Sequence, residues 1–62
     1  MSKELKRLAN ITAVELYGST LEKQLSGIPE KAQGMFIVFA AKIGQGIEDG
    51  TIDVDKAKQN QT

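Results

Sequence analysis

Residues 35–41 form an uninterrupted apolar run, Met-Phe-Ile-Val-Phe-Ala-Ala, in a chain of only 62 residues. A helix or strand with one face in water alternates apolar and polar residues at its own period, and this run contains no polar position. It therefore has to be covered on more than one side. So short a chain has little other apolar material to cover it, and the run therefore predicts self-association or a protein partner.

The absence of cysteine and histidine limits how so small a domain can be stabilised. A chain of this size buries a smaller share of its surface than a larger domain, and disulfides, a metal or oligomerisation normally compensate. Without cysteine or histidine, disulfides and zinc or iron–sulfur sites are excluded. Oligomerisation remains as the means of stabilisation, and no cofactor or metal is expected.

The charges balance, with 8 Lys and Arg against 8 Asp and Glu, so the chain has no basic excess to attract nucleic acid. Lys3, Lys6 and Arg7 cluster near the start, where a solvated surface is the expected role. The apolar run lies mid-chain and is far shorter than the roughly 20 residues of a membrane-spanning helix. We therefore expect no signal peptide and no membrane partner, and a cytoplasmic location.

The first helical segment is predicted over residues 2–25, with Ser2 as its cap. Gly18 leaves two alternatives. The segment is either one long helix, or two helices of which Ser19 caps the second while Glu22 reaches back. One helix is favoured because apolar spacing continues across the glycine. Two apolar stripes predict contacts in two directions, the first through Ile11, Val14, Tyr17, Leu21 and Leu25 and the second through Leu5, Ala9 and Leu16.

The second helix is predicted over residues 29–47, after a turn at residues 26–29. Gly27 suits a left-handed position past a helix end, and Pro29 suits the first turn of the next helix. A strand over residues 35–41 is the alternative, because the run is rich in β-branched and aromatic residues. Helix is favoured because an apolar stripe at helical spacing extends beyond the run on both sides, through Ala32, Phe36, Phe39, Ala40, Ile43 and Ile47.

A short third helix is predicted over residues 54–59. Asp49 and Gly50 signal a turn, and Asp53 can cap the helix that follows. Residues 59–62 form a polar tail that is expected to fray. The prediction is a single all-α domain over residues 1–58, a helical hairpin plus a short C-terminal helix, assembled as a dimeric or higher helical bundle.

Two glycine-containing strings resemble ligand-binding motifs and fail in detail. Asp49 to Asp53 resembles the middle of an EF-hand loop, yet Lys56 stands where that loop needs a bidentate glutamate. Gly44 and Gly46 begin like a dinucleotide-binding turn, but they lack the third glycine and follow a helix instead of a strand. Their expected role is to end the helix.

Enzymatic activity is not expected. The chain has no His or Cys to act as base or nucleophile, and its serines lie at positions that suit helix caps. Glu48 and Asp49 form a dense acidic pair, but adjacent residues of a helix point in different directions. The chain is also too short to enclose a typical substrate pocket.

The expected function is a small protein-interaction module. We expect a homo-oligomeric accessory regulator or inhibitor that binds another protein, of the kind that bacteria and phages encode as short chains. A dimeric DNA-binding regulator is the first alternative, although the second helix offers only Lys31 and Lys42 to phosphates. A structural assembly subunit is the second. The residues expected at the oligomer or partner interface are Tyr17, Leu21, Met35, Phe36, Val38, Phe39 and Ile43.

Overall fold

The computed structural model describes residues 2–59, which form four α-helices. These are α1 (Lys3–Tyr17), α2 (Leu21–Leu25), α3 (Glu30–Asp49) and α4 (Val54–Gln59). The described residues contain no strand. Helices α1 and α3 pack as a hairpin, and α4 is a short C-terminal helix that contacts α1. The predicted all-α hairpin with a short C-terminal helix is confirmed, whereas its assembly into a bundle stays a prediction.

Gly18 ends α1, so the prediction of one helix over residues 2–25 is wrong. Its φ of 63° is left-handed, a conformation that glycine adopts at little cost. The backbone N–H of Gly18 donates to the carbonyl of Val14 at 3.1 Å, and that of Ser19 donates to the carbonyl of Ala13 at 3.2 Å. These bonds satisfy carbonyls at the end of α1 and turn the chain away from its axis.

Helix α2 begins one residue later than a cap at Ser19 would place it. The Oγ1 of Thr20, instead of the hydroxyl of Ser19, accepts the N–H of Lys23 at 3.2 Å and caps α2. The side chain of Asn10 accepts the backbone N–H of Leu21 at 2.9 Å, which fastens the start of α2 to α1. Leu21 belongs to α2 and packs into the core of the hairpin. Its burial explains why the apolar pattern of the sequence continues beyond the break at Gly18.

The turn between α2 and α3 contains no left-handed residue, so the predicted conformation of Gly27 is wrong. Among the described residues only Gly18 and Gly50 have positive φ. The N–H of Gly27 instead donates to the carbonyl of Gln24 at 3.2 Å, which closes a short turn with ordinary dihedral angles. Helix α3 starts at Glu30, immediately after Pro29.

Helix α3 passes through Gly44 and Gly46, so these glycines do not end it. Gly50, with φ of 83°, is its C-terminal cap. A Cβ at Gly44 would overlap the backbone carbonyl of Leu8, which shows how closely α1 and α3 approach each other there. The space beside Gly46 is filled by the side chain of Ile52.

The core consists mainly of small side chains where α1 meets α3. The Oγ1 of Thr12, itself buried, donates to the carbonyl of Ala40 across this contact at 2.5 Å. The predicted apolar stripes coincide only partly with the buried faces. Ala9 and Ala40 are buried as predicted, whereas the larger stripe residues Val14, Tyr17, Phe39 and Ile43 are exposed. We call the buried residues of the two helices the α1–α3 seam: Leu8, Ala9, Thr12, Ala13, Ile37, Ala40, Ala41 and Gly44.

The third predicted helix is confirmed as α4, with the predicted bounds. The Oδ1 of Asp53 accepts the N–H of Lys56 at 3.1 Å, as expected for the capping residue. Of the polar tail predicted over residues 59–62, Gln59 is the last residue of α4. Residues 60–62 lie outside the described part of the chain.

Candidate interaction surface

Three of the largest apolar side chains of residues 2–59 lie on the surface. Met35 is 67% exposed, Phe39 is 62% exposed and Tyr17 is 53% exposed. Aromatic side chains normally supply much of the buried area of a core, and here the α1–α3 seam closes without Phe39 or Tyr17. Exposed apolar residues that cluster in this way mark sites of protein association.

Four exposed apolar residues, Met35, Val38, Phe39 and Ile43, lie on α3 outside the seam. Positions 31, 35, 38, 42, 45 and 49 repeat at spacings of four and three, and all of them are exposed. Such positions share one side of a helix. Phe39 and Ile43 lie beside this stripe and are also exposed. We call the exposed apolar residues of α3 its outer face: Met35, Val38, Phe39 and Ile43.

A shallow groove connects the outer face with the end of α1. Tyr17, Phe36, Phe39 and Ile43 line it together with the buried residues Thr12 and Ala40. Its volume is about 140 Å³. Sites that enclose small molecules typically measure about 300 to 1,000 Å³. The groove can accept a single side chain of a protein partner, and it is too small to enclose a typical metabolite.

The predicted interface residues separate into two groups in the folded chain. Tyr17, Met35, Val38, Phe39 and Ile43 are exposed, and Phe36 is half-buried at the edge of the core. Leu21 is only 5% exposed because α2 folds it inward, so it supports the core and cannot meet a partner.

Val14 is a surface residue that the predicted interface did not include. It is 48% exposed on α1. The sequence placed Val14 in an apolar stripe with Leu21 and Leu25, which predicted that the three side chains make contacts in the same direction. The break at Gly18 separates these residues onto two helices, and only the phase of the seam reveals that Val14 points outward.

The basic cluster near the start of the chain lies along a cleft of about 470 Å³ between α1 and α2. Lys3, Lys6 and Arg7 line one side, and Glu22 contributes a negative charge. Arg7 is engaged within the fold, since its guanidinium donates to the carboxylate of Glu48 at 2.6 Å and to that of Glu4 at 2.7 Å. This guanidinium ties the start of α1 to the end of α3.

The contact between Arg7 and Glu48 changes the acidity of both groups. Hydrogen bonding from Arg7 lowers the pKa of the Glu48 carboxyl below its ordinary value. Hydrogen bonds to Glu48 and then to Glu4 raise the pKa of Arg7, which therefore stays charged at any physiological pH. All three groups are exposed to solvent, so their mutual attraction is screened.

No metal-binding cluster and no membrane-spanning helix occur in residues 2–59. Nowhere in this range do three or more acidic side chains come together in a way that could hold a metal ion. None of the four helices combines the length and the apolarity needed to cross a bilayer. Asp53, which the EF-hand-like string includes, serves as the cap of α4.

Comparison with known proteins does not place the chain in a family. No protein-family model, curated protein or solved structure matches it. Functional inference therefore depends on the surface. Its distinctive features are the outer face of α3 and the groove beside Tyr17, where apolar side chains are exposed although the core does not need them.

Proposed function

We propose that the protein is a non-enzymatic protein-interaction module, a homo-oligomeric accessory regulator or inhibitor that acts by occupying the surface of another protein. The outer face of α3 is the surface that association would bury, and the binding-competent form depends on it. The observation that carries this proposal is the exposure of Met35 and Phe39 in a fold whose seam closes without them.

The size of these side chains supports association through this face. Burying a Phe or Met side chain completely gains about 1.5 to 3 kcal/mol. Met35, Phe39 and Tyr17 each keep more than half of their surface in water, so most of this free energy is left for a partner. Aromatic side chains at the centre of an interface often dominate its affinity.

The remaining chemistry also favours binding over catalysis. The described surface offers a shallow groove of about 140 Å³ and an open cleft of about 470 Å³ lined by Lys, Arg and Glu side chains. The volume of the cleft lies in the range of small-molecule sites. Without histidine or cysteine, however, neither feature contains the commonest general base or a thiol nucleophile. A protein with this surface would regulate or inhibit by covering a site on its target.

Affinity capture from the cells that express the protein tests the proposal. Three baits are compared: the wild-type chain, Phe39→Glu, and Ser26→Glu as a control that adds the same charge at an exposed position outside α3. We expect the wild type and Ser26→Glu to retain the same target, identified by mass spectrometry, and Phe39→Glu to lose it. Equal retention by all three baits would contradict a role for the outer face.

Reconstitution then separates a regulator or inhibitor from a passive subunit. The captured target is purified, and its activity is measured against increasing concentrations of wild-type protein and of Phe39→Glu. If the protein is a regulator or inhibitor, adding enough wild type to occupy the target changes the activity of the target. The same concentrations of Phe39→Glu leave that activity unchanged. An unchanged activity in a stable complex would instead favour the structural assembly subunit.

A further inference from the structure

We infer that a second copy of this chain covers the outer face, with the two α3 helices antiparallel and crossing near Phe39. The inference rests on the proposed function, because it says how the homo-oligomer forms. In this arrangement the target binds the dimer, and Phe39→Glu loses the target because it loses the dimer. The charge pattern along α3 selects the antiparallel orientation, and the spacing of its apolar side chains is compatible with it.

The charge pattern favours antiparallel pairing. Lys31 lies near the start of α3 and Asp49 at its end, both in the exposed stripe that contains Met35 and Val38. Neither Lys31 nor Asp49 forms an ion pair with another described residue. Antiparallel helices bring Lys31 of each copy close to Asp49 of the other, whereas parallel helices would place like charges together.

The apolar spacing is compatible with this orientation. Phe39 lies midway between Met35 and Ile43, four residues from each. Antiparallel pairing about Phe39 therefore sets Met35 of one copy against Ile43 of the other, at both ends of a continuous apolar contact. In this register Lys31 is offset from Asp49 of the second copy by two residues, about 3 Å along the helix axis, which a lysine side chain can span.

Lys42 is the charged residue of α3 that falls within this contact. In the same register it lies opposite Phe36 of the second copy. The aliphatic stem of a lysine can cover an aromatic ring while its ammonium group stays in water. Lys42 therefore fits at the edge of the interface, and its two copies can point away from each other.

The chain is large enough to form a dimer interface of standard area. Helix α3 has 20 residues, so it is about 30 Å long, and the longest extent of the folded chain is also 30 Å. A standard interface buries about 800 Å² on each partner. This is less than a fifth of the 4543 Å² of accessible surface. The formal net charge is zero, so two copies approach each other without overall repulsion.

Disulfide trapping tests the arrangement directly, because the natural sequence has no cysteine. Met35→Cys and Ile43→Cys are prepared separately and mixed in a glutathione redox buffer. A disulfide needs Cα atoms within about 7 Å of each other. We expect a covalent dimer between the two variants in the mixture and little self-linking of either variant alone. As a control, Glu15→Cys on α1 should not link to Met35→Cys.

Self-linking of Met35→Cys and of Ile43→Cys would overturn the antiparallel arrangement in favour of a parallel one. Absence of any covalent dimer, with wild-type protein that sediments as a monomer, would overturn the second copy as occupant. In that case a captured target that depends on Phe39 would leave the proposed function standing. Failure of both experiments would reject both proposals.

Charge exchange gives a second test that leaves the apolar contact intact. Lys31→Glu should weaken dimerisation several-fold, because the introduced carboxylate then faces Asp49 of the other copy. The double variant Lys31→Glu/Asp49→Lys should restore the wild-type association, since each end again pairs opposite charges. A double variant that associates no better than Lys31→Glu would contradict the antiparallel pairing.

Discussion

The two sides of α3 differ in the size of most of their side chains. Toward α1 it presents Ala40, Ala41 and Gly44, which are buried, and toward solvent it presents Met35 and Phe39, which are more than 60% exposed. Small side chains let two helix backbones approach closely, and the hydrogen bond from Thr12 to Ala40 crosses that short distance. The comparison indicates that the seam holds the hairpin together while the large apolar residues are left for association.

Enlarging Gly44 should break the seam. In Gly44→Ala the new Cβ would overlap the backbone carbonyl of Leu8, so the helices have to separate. We expect a loss of about 2 to 3 kcal/mol in the free energy of unfolding, even though alanine is the better helix former. Urea unfolding followed by circular dichroism measures it. The control is Gly27→Ala, where the new Cβ comes no closer than 3.8 Å to a neighbouring atom and stability should be unchanged or slightly higher.

Removing the hydroxyl of Thr12 should weaken the seam without changing its shape. Thr12→Val keeps the side-chain volume and loses the donor to the carbonyl of Ala40, so we expect a cost of about 1 kcal/mol. Thr51→Val, at an exposed position, serves as the matched control in the same thermal unfolding experiment. Thr51 itself donates to the carbonyl of Gly46 at 3.2 Å, so equal effects would show that the buried hydrogen bond stabilises the fold no more than an exposed one.

The cap of α2 lies outside both faces and should have a similar or smaller effect. Thr20→Ala removes the acceptor of the Lys23 N–H, with an expected cost of about 1 kcal/mol. Ser19→Ala should cost less, because the hydroxyl of Ser19 caps no helix. Comparison of the two melting temperatures checks the assignment, and a greater loss in Ser19→Ala would argue for the cap at Ser19.

The ion pair at the end of the hairpin should have the smallest effect, and a pH-dependent one. Because the folded state lowers the pKa of Glu48, the contact with Arg7 stabilises the fold at pH values above the ordinary pKa of a glutamate. That contribution is lost as the pH falls through the lowered pKa. The difference in melting temperature between wild type and Glu48→Gln should therefore shrink from pH 7 to pH 3. A difference that does not change with pH would contradict the assignment.

The sequence predicted the helical hairpin and α4 because their signals are local. Pro29 and Gly50 mark the ends of α3, and Asp53 is the cap of α4. The break at Gly18 was missed because a glycine is compatible with both a helix interior and a left-handed cap, and the choice depends on how α2 packs.

The phase of the buried faces could not be predicted from hydrophobicity. Apolar spacing favoured Phe36 and Phe39 as core residues, whereas the buried residues of α1 and α3 are mostly Ala, Gly and Thr12, with Leu8 and Ile37 as the large ones. Most residues of the predicted interface lie on the surface, because the apolar run of residues 35–41 is too wide for one helix contact. Leu21 was misplaced, since its burial follows from the turn at Gly18.

Sedimentation of wild type and Phe39→Glu tests the central claim that the seam makes the fold while the outer face makes the contact. At micromolar concentration the wild type should sediment as at least a dimer, and Phe39→Glu as a monomer with unchanged helix content by circular dichroism. A monomeric wild type would contradict self-association. An unfolded Phe39→Glu chain, or one that still forms the dimer, would contradict the separation between the two faces of α3.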